Sequence, residues 1–199
     1  MPPRRCFLAA AALLALGGCS RTEAPAPAPV STTGSEAAAN ASSARSAFEH
    51  AAQGRGFVVG QALAARVLLV FFDRQCPHCA ALWAAARPLR DRVRMVWMPV
   101  AFVAPPSAAQ GALLLAAADP TRAMDEHEAA LARGEGGLRV DAATVDAALL
   151  AQVEANTALW SALGGGSVSH LLWRVGSEGP YGAQAGAMDA DALFRQLGL

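Results

Sequence analysis

The hydrophobic pattern of this chain changes abruptly from one short segment to the next. Two continuous apolar runs, RVLLVFF at 66–72 and VRMVWMPV at 93–100, are typical of strands buried on both faces of a sheet. SHLLWRV at 169–175 predicts a third strand. After the turn GSEGP, YGAQAG at 181–186 predicts a strand at the sheet edge.

The segments around these strands are rich in Ala and Leu and predict helices. Pro77 suits a first helical turn, where no backbone donor is needed, whereas Pro88 is expected to kink the same helix. The order β-α-β, helical segment, β-β-α predicts an α/β, thioredoxin-like fold with an α-helical insertion at about 106–163. Helices are predicted at 43–53, 77–92, 107–118, 120–133, 141–163 and 189–198.

The N-terminal segment differs in composition from the rest. A basic head with two arginines precedes an apolar run at 6–16, too short to span a membrane. The run ends in LGGC, which resembles the lipobox of bacterial lipoproteins and predicts a signal peptide at 1–18 and a lipid on Cys19. Ser20, in place of Asp, favours the outer membrane by analogy with enteric sorting rules. The alternative is an ordinary cleaved signal with a chance cysteine.

Residues 19–43 are rich in Ala, Pro and Ser and contain few large apolar side chains. This composition favours extended, unpacked chain and predicts a tether. Residues 44–199 then form one domain. The 16 basic and 16 acidic residues of the whole chain balance, and no basic stripe stands out, so nucleic acid is not an expected partner.

The chain has four cysteines, and only two are expected in the folded domain. Cys6 leaves with the signal peptide and Cys19 carries the lipid, so Cys76 and Cys79 remain. A structural disulfide framework uses more cysteines than one closely spaced pair. The pair is therefore expected to be redox-active or metal-binding.

Cys76 is predicted to lie at the start of a helix that follows a buried strand. Unpaired backbone N–H groups and the positive end of the helix dipole favour a thiolate there. His78 can add positive charge near this sulfur and shift the pair toward oxidising potentials. Cys79, one turn further on, is the expected resolving thiol, which attacks the mixed disulfide that Cys76 forms.

Residues 71–123, with their FxDxxCPxC start, a Trp and Ala-Arg-Pro in the first helix and a later Asp-Pro, resemble the catalytic domain of the periplasmic disulfide isomerases of the DsbC/DsbG family. The resemblance is closer to the DsbG branch and runs from about Leu68 to the C-terminus. The CPHC tetrad itself matches the oxidase DsbA. The resemblance implies that Cys76 attacks and Cys79 resolves. It also implies a periplasmic location, protein thiols or disulfides as substrates, a redox partner protein and no cofactor.

The sequence departs from this family at its N-terminal side. The isomerases carry a dimerisation domain before the catalytic domain, and fewer than about thirty ordered residues are expected before the strand at 66–72. We therefore expect no dimerisation domain. A tethered, monomeric oxidoreductase is the favoured interpretation.

A second departure concerns the substrate loop, where the family has Thr followed by a cis-proline. Aligning the loop places Ser169 at the Thr and His170 at the proline, and predicts a trans peptide bond because a non-proline cis bond costs about 3 kcal/mol. His170 would also face the two thiols. Cys76, Cys79 and His170 form a soft ligand set suited to Cu(I). The alternative function is a copper-handling lipoprotein, similar to copper chaperones of the Sco type.

Three further features complete the sequence-based expectations. His50 and His127 are expected on solvated helix faces beside glutamates. Asp73, three residues before Cys76, is expected to shape the turn or to tune the pair weakly. Four tryptophans are expected in the core or at a substrate groove, with Trp83 beside the active site: Trp83, Trp97, Trp160 and Trp173.

Overall fold

The computed structural model describes residues 33–199, and side chains from residue 39 onward with the exception of Ala142. The predicted signal peptide, Cys19 and the first part of the predicted tether lie outside the described residues. No helix within 33–199 is both long and apolar enough to cross a membrane.

Five strands and six α-helices make up the described part of the chain. The strands form one sheet, and α3, α4 and α5 lie between β3 and β4, where the sequence predicts the helical insertion. The elements are α1 Thr33–Ala51, β1 Phe57–Gly60, β2 Val67–Asp73, α2 Pro77–Ala85, β3 Arg94–Val100, α3 Ser107–Ala116, α4 Pro120–Ala132, α5 Ala147–Ala162, β4 His170–Arg174, β5 Tyr181–Ala185 and α6 Ala190–Gln196.

The sheet order is β1-β3-β2-β4-β5. The two apolar runs of the sequence are the neighbouring parallel strands β2 and β3, and the other pairs are antiparallel. All seven residues of β2 are buried, as its continuous apolar sequence predicts. Because β2 and β3 are parallel, their carboxyl ends meet at one edge of the sheet, directly before the cysteine pair.

β1 is a strand that the sequence analysis missed. It has only four residues, whose side chains alternate between buried and exposed, and it pairs antiparallel with β3 at the edge of the sheet. So short an alternation gives little periodic signal. The packing of Phe57 against Phe72 and Trp83, with ring centroids at 6.1 and 6.5 Å, fixes it in place.

Two helix boundaries also differ from the prediction. α1 begins at Thr33, so residues 33–43 are helical and do not belong to an extended tether. Their high alanine content favours a helix even where most side chains from residue 39 to 46 are exposed. α2 ends at Ala85 and a short 3₁₀ helix, Arg87–Leu89, follows, because Pro88 has no N–H with which to continue the α-helix.

The core contains all four tryptophans, as predicted. Trp83 from α2 packs edge-on against Trp97 from β3, with ring centroids 4.9 Å apart. Trp83 also donates from Nε1 to the Asp125 carboxylate of α4 at 2.7 Å. The core therefore joins the helix that carries the cysteines to both the sheet and the insertion.

His127 is buried, which contradicts the predicted solvated position, whereas His50 is exposed as predicted. The N–H of Leu138 donates to His127 Nδ1 at 3.1 Å, so Nε2 carries the proton and donates to the Arg74 carbonyl at 2.9 Å. Burial and, to a smaller extent, the Arg74 charge lower the pKa of His127 to about 4. The sequence pattern of α4 does not indicate that His127 is buried, because the face that carries His127 packs against a distant segment, the loop before Cys76.

We expect His127→Ala to lower the free energy of unfolding by about 2–4 kcal/mol, since a buried carbonyl and a half-buried N–H lose their partner and a cavity forms. The wild type should lose stability as pH falls from 6.5 toward 4, because the unfolded chain takes up the proton first. Urea unfolding across this pH range measures both effects. His50→Ala is the matched exposed control. Equal, small losses in the two variants contradict the structural role of His127.

Candidate redox site

Cys76 is the N-cap residue of α2, and Pro77 follows at the first helical position. The Cys76 backbone is extended, with φ −91° and ψ 117°, and its N–H donates to the Asp73 carbonyl at 3.2 Å. Pro77 has no N–H and suits the first helical position, where no donor is needed, and the backbone N–H groups of His78 and Cys79 follow directly beside the sulfur. The local sequence thus builds a site for a thiolate at the helix start.

The hydrogen bond from the Cys79 thiol lowers the pKa of Cys76 to about 6, against the opposing effect of burial. Backbone N–H groups of Cys79 and His78, and the charge of the His78 imidazole, add to this lowering. At neutral pH the Cys76 sulfur is therefore mostly a thiolate. The exposed His78 therefore lowers the pKa of Cys76 through its backbone N–H as well as through its ring.

Cys79 has the opposite character. It is 1% exposed, and its pKa is raised by the hydrogen bond to the Cys76 thiolate and by burial. Both cysteines are free thiols in this structure. Cys79 is thus a protonated, shielded partner to an ionised Cys76.

Cys76 is recessed between exposed neighbours. The residue is 6% exposed, whereas Pro77 and His78 are exposed. Its Sγ also lies 3.5 Å from the Val168 carbonyl oxygen, in the loop before β4. The loop that the sequence analysis assigned to substrate contact therefore lies directly against the sulfur.

The cis/trans prediction for this loop is wrong. The Val168–Ser169 peptide bond is cis, so Ser169, and not His170, follows the cis bond. The alignment is displaced by one residue because His170 already belongs to β4, where it pairs with Phe71 of β2. Ser169 is buried, and its Oγ lies 3.3 Å from Cys79 Sγ.

His170 does not complete a metal-binding cluster. Its ring lies 6.3 Å from that of Phe71, and burial lowers its pKa. Within residues 33–199 no group of three or more His, Cys, Asp or Glu side chains is placed to hold a metal ion. The structure therefore does not bring Cys76, Cys79 and His170 together as the predicted Cu(I) ligand set.

Asp73 has a larger structural role than the predicted shaping of one turn. Its carboxylate is buried and accepts four hydrogen bonds. Oδ1 accepts from the Gln75 N–H at 2.8 Å and from Ser107 Oγ at 2.7 Å, and Oδ2 accepts from the N–H groups of Phe102 and Val103 at 2.7 and 2.9 Å. One side chain thus joins the turn before Cys76 to the loop after β3.

Arg74 is a buried residue of the site that the sequence analysis missed. Its side chain contacts Met124 and lies 3.8 Å from the Glu128 carboxylate, both on α4. Burial lowers the pKa of Arg74 to about 10, and Glu128 opposes this. In the sequence, the only indication that Arg74 belongs to the site is its position as a charged residue between a buried strand and the cysteines. Its contacts depend on the insertion folding over it.

Gln75 and Gln110 form a second link between the turn and the insertion. Gln75 Nε2 donates to Gln110 Oε1 at 2.6 Å and to the Gly136 carbonyl at 3.0 Å. Gln110 donates in turn to the carbonyls of Gly136 and Leu138, both at 3.0 Å. The turn before Cys76 is therefore held by α3 and by the loop after α4.

A sheet of this topology, with a CxxC pair at the start of the helix after its central strand, places the domain in the thioredoxin-fold class. Solved structures agree on the fold. The thiol-disulfide exchange protein α-DsbA2 of Wolbachia pipientis matches with a TM-score of 0.60 at 18% identity, over 82% of this chain and 97% of that one. The catalytic domain of Proteus mirabilis ScsC matches with a TM-score of 0.57 at 18% identity, over 79% and 96%.

Sequence comparison finds two curated relatives of the same name. The chain is 33% identical to the thiol:disulfide interchange protein DsbG of Pseudomonas aeruginosa over 141 residues, which are 70% of this chain and 54% of that protein. It is 31% identical to DsbG of Escherichia coli K12 over 87 residues, 43% of this chain and 35% of that protein. No family model matches.

The chain is similar in sequence to DsbG-type thiol:disulfide interchange proteins, which confirms the predicted resemblance. It spans about half the length, or less, of these two relatives. The thioredoxin-like fold with a helical insertion is confirmed as well.

Proposed function

We propose that this protein is a thiol–disulfide oxidoreductase that exchanges disulfides with protein substrates through Cys76-Pro77-His78-Cys79. The observation that carries the proposal is the asymmetry of the pair, with the pKa of Cys76 lowered to about 6 and that of Cys79 raised. An ionised first sulfur and a protonated, buried second sulfur are the states that a nucleophile and a resolving thiol need.

In the reductive direction, the Cys76 thiolate attacks a substrate disulfide. A Cys76–substrate disulfide forms and the other substrate sulfur leaves as a thiolate. Cys79 then loses its proton and attacks Cys76, so that the Cys76–Cys79 disulfide forms and the second substrate sulfur leaves. The pair gives up two electrons and the substrate takes them up.

The reverse sequence oxidises a substrate dithiol. A lowered Cys76 pKa stabilises the reduced pair at pH values above about 6, which makes the Cys76–Cys79 disulfide the more reactive, oxidising state. His78 contributes to this stabilisation. The two sulfurs carry the electrons themselves, so the proposed reaction needs no cofactor.

The proposed location is the periplasm, with the domain held at a membrane, the outer membrane being favoured, by a lipid on Cys19. The signal-like N-terminal sequence supports it, and two or more acyl chains on one residue give stable anchoring. A periplasmic thioredoxin-like protein of Salmonella enterica serovar Typhimurium shares the fold, with a TM-score of 0.55 at 18% identity. The proposed partners are periplasmic protein thiols or disulfides and a redox partner protein. We propose that the protein acts on them as a monomer.

Thiolate absorbance of the reduced protein across pH tests the proposal. We expect an inflection near pH 6, because the thiolate forms as pH rises through the Cys76 pKa, and we expect Cys76→Ser to remove it. The reduced protein should then reduce insulin, or the oxidised protein should oxidise a peptide dithiol. An inflection near the ordinary thiol value, with inactivity in both assays, contradicts the proposed function.

A further inference from the structure

Ser169 places a hydroxyl group against the sulfur that resolves mixed disulfides. We propose that Ser169 is a positioning residue that donates a hydrogen bond to Cys79 Sγ and accelerates the attack of Cys79 on the mixed disulfide. This inference rests on the proposed function. It assigns to Ser169 a role in the resolution step beyond substrate contact by its loop.

The contact between the Ser169 hydroxyl and the Cys79 sulfur is shielded from solvent. Ser169 Oγ lies 3.3 Å from Cys79 Sγ, and both residues are almost fully buried, at 0% and 1% exposed. Within residues 33–199, Ser169 and Cys76 are the two side chains that hydrogen bond to the Cys79 sulfur. Water therefore has little access to replace the hydroxyl.

The backbone holds Ser169 in position. Its carbonyl accepts a hydrogen bond from the Gly186 N–H at 2.6 Å, and the next residue, His170, is already paired with Phe71 in the sheet. On the other side, the Val168 carbonyl faces Cys76 Sγ at 3.5 Å. Two adjacent residues thus contact the two sulfurs, one through its backbone and one through its side chain.

The direction of the hydrogen bond follows from the protonation states. In the resting pair the Cys79 proton is donated to the Cys76 thiolate, so the Ser169 O–H is the donor to the Cys79 sulfur. In the mixed disulfide, Cys76 is bonded to substrate and Cys79 must become the thiolate. The same O–H then faces a full negative charge, and a charge-assisted hydrogen bond is about twice as strong as a neutral one.

The hydrogen bond therefore strengthens as Cys79 becomes a nucleophile, which favours the resolution step selectively. In that step the Cys79 proton passes to water, the Cys79 thiolate bonds to Cys76 Sγ, and the substrate sulfur leaves with the electron pair of the broken bond. Ser169 keeps its own proton throughout. The formation of the mixed disulfide, which uses only the Cys76 thiolate, does not require this hydroxyl.

A two-step reaction with an aromatic disulfide reagent, dithiobis(nitrobenzoate), separates the two events in the full-length protein. Attack by Cys76 releases one coloured thiolate, and attack by Cys79 releases the second. We expect Ser169→Ala to slow the second release by about tenfold and to leave the first release within about twofold. The pH at which the second rate reaches half its maximum should rise in the variant.

Ser169→Thr is the matched control, since it keeps the hydroxyl, and should resolve within about threefold of the wild-type rate. Cys79→Ser identifies the phases, because it should give a single release. Ser169→Gly supplies a second variant without the hydroxyl, and the intact first phase reports that the site remains folded.

The outcomes separate this inference from the proposed function. A second release in Ser169→Ala as fast as in the wild type, or one equally slow in Ser169→Thr, overturns the role of the hydroxyl. A wild-type protein that gives no release, or one release only, overturns the proposed function itself.

Discussion

We expect Cys76→Ser to lower the rate of thiol–disulfide exchange by roughly 10³-fold or more, since a hydroxyl at this position is not ionised at neutral pH and cannot form the mixed disulfide. Peptide-dithiol oxidation and insulin reduction both measure this loss. The change of one buried sulfur to oxygen leaves the neighbouring backbone contacts in place. Unfolding curves should therefore show a folded variant without activity.

Cys79→Ser is the matched variant and should behave differently. Cys76 can still attack, so a mixed disulfide with substrate should accumulate and be visible as a covalent adduct of the protein. Turnover should stop at this stage because the second thiol is missing. Retained exchange in Cys76→Ser, or wild-type turnover in Cys79→Ser, contradicts the assigned roles.

The second large effect is expected at Asp73. Asp73→Ala should lower the free energy of unfolding by about 3–5 kcal/mol, because four buried or half-buried donors all hydrogen bond to this carboxylate and would lose their acceptor. Asp73→Asn should cost about half as much, since the amide keeps one oxygen. Urea unfolding of the reduced protein measures both values.

Asp91 provides the control for Asp73, because it is exposed and Asp91→Ala should change stability by less than about 0.5 kcal/mol. Asp73→Ala should also slow the first release of the aromatic thiolate, since the Cys76 N–H donates to the Asp73 carbonyl and the turn is held by the carboxylate. A loss no larger than that of Asp91→Ala contradicts the idea that this side chain joins the two loops.

The local sequence was sufficient to predict the centre of the fold and the reactive pair. Continuous apolar runs over β2 and β3 indicate strands buried on both faces, because side chains that alternate between the two faces of the sheet are then all removed from water. The helix start at Cys76 follows from Pro77 and from the strand before it. The order of the predicted elements extended this prediction to the helical insertion.

Other features depended on contacts between segments far apart in the chain. Asp73 meets Phe102 and Val103 because the parallel strands β2 and β3 end at the same edge of the sheet. His127 is buried because α4 packs onto the loop before the cysteines, and no helical pattern within 120–132 indicates that partner.

The sequence by itself determined which atoms can react: two cysteines at helical spacing after a buried strand, with a histidine between them. Only the tertiary structure decided what surrounds them, since burial and hydrogen bonding depend on neighbours that the chain brings back from 90 or more residues away. Thus Ser169 reached the Cys79 sulfur while His170, one residue later, paired with Phe71. The pairing of β4 with β2 ends at His170, which leaves Ser169 in the loop beside the cysteines.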